Sequence, residues 1–111
     1  MVAENTSGSK TSDGTVQTLA TISDAGVYVL RVDTALLALG DRVVLRIKSE
    51  SRVSETALLL LYEAAFSDVQ IEVLKDSPPV AVPTSGQFRA TLELTHGTNR
   101  VFEWSIIDLA S

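Results

Sequence analysis

At 111 residues, 45% of them hydrophobic and 21% charged, the chain has room for one domain that buries about two-thirds of its unfolded surface, and whole-chain disorder is excluded. A net charge of −5 leaves no concentration of Lys and Arg for a nucleic-acid backbone, so no nucleic-acid partner is expected. Cysteine is absent, which removes disulfides, thiolate nucleophiles and thiolate metal sites together.

The first 15 residues, MVAENTSGSKTSDGT, are polar and almost free of apolar side chains. They lack the basic and apolar regions of a secretion leader and read as a flexible N-terminal arm, with the folded domain spanning 16–111. No apolar run approaches the ~18 residues of a membrane span, so no membrane partner is expected either.

Val16 to Ile22 reads as a first strand, followed by the turn residues Ser23 to Gly26. Gly26 to Asp33 alternates, placing Tyr28, Leu30 and Val32 on one face, and the close connection predicts a hairpin between these two runs. Thr34 to Gly40 breaks the alternation; Asp33 or Thr34 as a cap and Gly40 as a terminator predict one short helical turn that plugs an end of the fold. Asp41 to Ser49 is the clearest strand, with Val43, Leu45 and Ile47 inward and Arg42, Val44, Arg46 and Lys48 outward. A loop over 50–55 leads into the apolar run from Thr56 to Phe66, whose lack of alternation predicts a central strand buried on both faces.

Beyond the turn at Ser67-Asp68, Val69 to Leu74 alternates as a further strand. Pro78 and Pro79 end it, since neither can donate to a ladder, and Val80 to Val82 reads as an edge segment. Gln87 to Thr95 buries Phe88, Ala90, Leu92 and Leu94, and Arg100 to Leu109 closes the chain with Phe102, Trp104 and Ile106 on one face. Turn signals every 8–12 residues between short strands predict an all-β fold. The expected architecture is a single jelly-roll-like β-sandwich of about eight antiparallel strands.

The order of these segments resembles small virion proteins encoded among the structural genes of tailed bacteriophages. The residues that carry the likeness are Gly26, Tyr28, Leu30, Val32 and Asp33, then Leu39, Gly40 and Asp41, and finally Thr95, Gly97, Thr98, Arg100, Phe102 and Trp104. It spans about Gly26 to Trp104 and implies a non-enzymatic structural role, in its most concrete form a capsid decoration (cement) protein that stabilises the assembled head. It further implies the major capsid protein or other virion proteins as partners, a homo-oligomer for which a trimer would suit three-fold lattice positions, and a place in the virion after assembly in the host cytoplasm. A tail or head–tail connector component, and a carbohydrate- or ligand-binding module on the same sandwich, are the alternatives.

The residues themselves offer little chemistry. His96, the one histidine, lies in a Thr-His-Gly turn and reads as a loop residue. Asp24, Asp33 and Asp41 fall near strand ends, where turn and cap roles compete with a Ca²⁺ rim. No G-x-S-x-G elbow occurs, and no catalytic residue, metal or cofactor is expected. Glu63 within the apolar run needs either a strand emerging into solvent or a partner such as Arg31, Arg46 or Arg89. Trp104 is expected to pack in the core rather than stack on a sugar. The outward row Arg42, Arg46 and Lys48, joined by Arg31, is the expected partner-contact surface, a basic stripe suited to an acidic lattice.

Overall fold

A computed structural model describes residues 2–50 and 58–109. Nine strands follow one another: β1 (Ala3–Thr11), β2 (Gln17–Ile22), β3 (Gly26–Asp33), β4 (Arg42–Ser49), β5 (Leu59–Ser67), β6 (Leu74–Asp76), β7 (Val80–Val82), β8 (Phe88–His96) and β9 (Val101–Asp108). They form two antiparallel sheets and no helix among the described residues. One sheet runs β1-β9-β3-β6, with β7 also on β3, and the other runs β2-β8-β4-β5. The chain is an all-β sandwich.

The core lies where period-two alternation in the four interior strands predicts it. Tyr28, Leu30 and Val32 of β3, with Phe102 and Ile106 of β9, face Val43, Leu45 and Ile47 of β4 and Phe88, Ala90 and Leu92 of β8. The Tyr28 and Phe88 rings meet at 6.0 Å between centroids in a tilted arrangement. The Tyr28 hydroxyl donates to the Asp24 carbonyl at 3.0 Å, so the phenol reaches the rim without leaving a buried donor unpaired. Val44, expected to point outward, is buried, as is Thr91 on the same face, because interior strands have neighbours on both sides.

Several expectations are corrected. Residues 3–11 of the expected arm form β1, an edge strand whose register with β9 runs from Ala3↔Asp108 to Thr11↔Val101. Its stabilisation comes from the backbone ladder, a term that apolar patterning does not reveal. Ser12 locks its end, donating its N–H to the Arg100 carbonyl and accepting the Arg100 N–H on Oγ, both at 2.9 Å. The expected β2–β3 hairpin does not exist: β2 pairs with β8 and β3 with β9, so Ser23 to Ala25 carries the chain from one sheet to the other. Residues 34–40 form two successive turns, closed by Leu37 N–H to Thr34 O at 3.1 Å and Asp41 N–H to Ala38 O at 3.0 Å, instead of a helical turn. Leu37 is the one buried apolar side chain of that segment, and Thr34 is buried with it.

The apolar run expected as the central strand is instead the edge strand β5, and Leu59, Leu60 and Leu61 are exposed. Thr56 and Ala57 of that run, and residues 51–55 of the loop before it, lie outside the described residues. Val69 to Val73 is a loop, with β6 beginning only at Leu74. The interrupted edge beside β3 has a simple cause. Between β6 and β7, Ser77 continues the ladder by giving its N–H to the Leu30 carbonyl at 2.8 Å and accepting the Leu30 N–H on Oγ at 2.9 Å. Pro78 and Pro79 then leave no N–H for pairing.

Candidate functional site

The expected basic stripe is not one surface. Arg31 lies on β3, in the other sheet from the β4 residues Arg42, Arg46 and Lys48, and forms a two-pronged ion pair with Asp76 at 2.7 and 2.9 Å. Asp76 is held below the usual carboxylate range chiefly by that hydrogen-bonded guanidinium. On β4, Arg46 sits between Glu93 of β8, at 2.8 Å, and Glu63 of β5. Those two carboxylates, Glu93 first, raise its pKa further. Glu63 therefore has the partner Arg46, and the charge inside the apolar run is a cross-strand pair on the outer face. Arg42 donates to Thr95 Oγ1 at 3.1 Å. On β4, therefore, Arg46 is matched by two carboxylates, while Arg42 meets a neutral hydroxyl.

The three aspartates do not converge either. Asp24 contributes its backbone carbonyl to Tyr28, and Asp33 accepts the Ala35 N–H at 2.8 Å as a turn residue. Asp41 is buried and forms a hub. One carboxylate oxygen accepts the Ala38 N–H at 3.0 Å and the Arg100 guanidinium at 2.8 Å, and the other accepts the Thr98 N–H at 3.0 Å. The Ala38 hydrogen bond, then that from Arg100, hold its pKa below the usual aspartate range. The Asp41 carbonyl accepts the Asp68 N–H at 2.9 Å, and Asp68 in turn accepts the Gly40 N–H at 2.8 Å. Asp41 thus ties the turns at 34–40 and 97–100 together through its side chain and holds the 67–68 turn through its carbonyl. Among the described residues no three His, Cys, Asp or Glu side chains gather as a metal site. His96 is exposed at the end of β8.

Trp104 packs against the core, as its spacing from Phe102 and Ile106 predicts. Its indole lies over Gly8 of β1, where an added Cβ would stand 3.2 Å from Cζ2, so the small residue makes room for the ring. A hollow of about 270 Å³ on this sheet is lined by Arg31, Asp33, Glu103, Ser105 and Ser7 together with Trp104. Arg31, Ser105 and Ser7 are cross-strand partners on the face away from Trp104's neighbours Phe102 and Ile106.

What the residues did not announce is a set of exposed apolar side chains. Leu36 and Leu39 stand out of the 34–40 turns, Leu39 being 86% exposed, and Val69 and Ile71 stand out of the 68–73 loop, Ile71 fully exposed. The third group is Leu59 to Leu61, with Ser49, Glu50 and Ala81 around a hollow of about 320 Å³. The available signal was apolar residues flanked closely by turn formers, Gly40 on one side and Asp68 on the other. Period-two alternation over 69–74 assigned them to a strand instead.

Comparison with family models, with curated proteins and with solved structures gives no match for this chain.

Proposed function

We propose that this chain is a non-enzymatic structural protein that works by docking, and more specifically a decoration protein on the head of a tailed phage. The observation that carries the docking role is the rigid display of Leu36 and Leu39. Apolar side chains held out on a loop usually bring a large conformational cost when they bind. Here the cost is already met. Leu37 is buried beneath them, and the turns are fixed by the bonds from Ala35 to Asp33, Ala38 to Asp41 and Gly40 to Asp68. Exposed apolar knobs on a fixed frame mark protein-contact surfaces. The phage assignment is supported by the resemblance over Gly26 to Trp104 and by the coincidence of Leu39, Gly40 and Asp41, which carry part of it, with this frame. The partner is the major capsid protein, and a protein that binds only the assembled lattice stabilises it by mass action.

The test mixes full-length protein with capsids that lack it and measures co-sedimentation. Wild-type protein should pellet with capsids at micromolar concentration. Leu39→Asp should leave the circular dichroism unchanged, because that side chain contacts solvent, yet weaken binding by about tenfold or more. Wild-type protein remaining in the supernatant would remove the decoration role.

A further inference from the structure

We infer that β5 is a self-association edge through which two copies of this chain pair antiparallel about a two-fold axis, joining their four-stranded sheets into one. The inference does not depend on the capsid role. It begins with the sheet edges. β1 is polar and carries Lys10 and a register shift at Glu4/Thr6. β6 and β7 are three residues each and separated by Pro78 and Pro79. β2 is six residues long with a register shift at Thr18/Ala20. These are the usual guards against edge pairing: charge, proline, brevity and irregularity. β5 is nine residues, LLLYEAAFS, without Pro, Gly, Lys or Arg. Its one irregularity is confined to the start, opposite Ile47/Lys48, leaving Tyr62 to Phe66 regular and, among the described residues, with one side of the backbone unpaired in the sheet.

The side chains identify a second copy as the occupant. A continuous sheet needs the two-fold axis perpendicular to it, so paired residues share a face. Centred on Ala64, the axis sets Tyr62 opposite the partner subunit's Phe66, and Phe66 opposite the partner subunit's Tyr62. Both rings pack against the edge of the core, and cross-strand aromatic pairs favour such positions. Glu63, already matched by Arg46, faces only the partner subunit's Ala65, so like charges are not opposed. The same axis carries each strand's start past the other's end. Leu59 to Leu61 then come beside the partner subunit's Val69 and the loop that holds its Ile71. Two of the exposed apolar groups thus cover each other, twice by symmetry. A strand with apolar clusters at both ends is self-complementary in the antiparallel sense.

The absence of cysteine makes a clean test. Light scattering on the full chain should show a dimer that dissociates on dilution, and Leu61→Lys, which alters an exposed edge position, should shift it to monomer with the β-type circular dichroism retained. Ala64→Cys lies on the axis and should form a disulfide-linked dimer under mild oxidation. Ser67→Cys should not, because the two copies of residue 67 stand six residues apart along the pair, about 20 Å. A wild-type monomer at every concentration overturns the inference, as does failure of Ala64→Cys to cross-link or equal cross-linking by Ser67→Cys. Capsids enter none of these measurements, so their outcome is separate from that of the docking experiment.

Discussion

Phe88→Ala is expected to cost about 3–5 kcal/mol, because it empties the centre of the sandwich instead of trimming its surface. Phe88 has no exposed surface and touches the Tyr28 ring across the gap between the sheets. Its position at the start of β8 also matters: it pairs with Ile22 of β2 on one side and Ser49 of β4 on the other. The cavity therefore opens where an edge strand joins the sheet, and relaxation would have to move backbone that is held by ladders on both sides. Small domains have stabilities of about 5–15 kcal/mol, so the loss takes a large share of the total. Thermal melts should show Tm lowered by at least about 10 °C, with much of the protein insoluble. Trp104→Ala should be milder, since that ring is only partly buried. Equal losses from the two variants would mean that the indole is as central as Phe88.

Strand existence and inward faces were legible wherever alternation reports two-sided pairing, as in Tyr28-Leu30-Val32, Val43-Leu45-Ile47 and Phe88-Ala90-Leu92. Two kinds of feature were not. The first is the position of a strand within its sheet. Leu59 to Leu61 carry the same apolar content in a buried interior strand as on an exposed edge, and only the ladder with β4 alone shows which it is. The second is stabilisation supplied by the backbone. β1, AENTSGSKT, has no apolar pattern, and its place beside β9 follows from unpaired N–H and C=O groups on β9 that need partners. The same limit applies to the candidate site. Arg42, Arg46 and Lys48 do share one face of β4, but their sequence spacing says nothing of Glu63 and Glu93 arriving on the neighbouring strands to neutralise Arg46. Asp41 was visible as a residue at a strand's start, whereas its partners Thr98 and Arg100 lie 57 and 59 residues away.

That hub yields the second large effect, through Gly97. The glycine has φ of +103°, and a Cβ there would stand 2.7 Å from the Asp41 Cα, a backbone atom that cannot swing aside. Gly97→Ala therefore combines a left-handed conformation that alanine resists, itself about 1–3 kcal/mol, with a clash at the carboxylate that joins two turns. The turns at 34–40 and 97–100 should separate, and the expected result is a lowered Tm together with faster amide exchange at Ala38 and Thr98. Unchanged exchange at both would show that the turns hold without Asp41. The acid limb of stability separates the carboxylate's charge from the packing around it. In the folded chain the Asp41 pKa lies below its ordinary value, first through the Ala38 N–H and then through Arg100. A depressed carboxylate contributes stability that is complete above the unfolded pKa and is lost as pH falls through the folded one. Wild-type protein should thus lose stability progressively below about pH 4. Asp41→Asn keeps the size of the side chain but has no charge to titrate, so it should be less stable at neutral pH and show a shallower acid slope. Asp76, paired with Arg31, supplies a second depressed carboxylate and keeps part of that slope in the variant. Parallel wild-type and Asp41→Asn curves between neutral and acid pH would mean that Arg100 and the two N–H groups do not depend on the charge of Asp41.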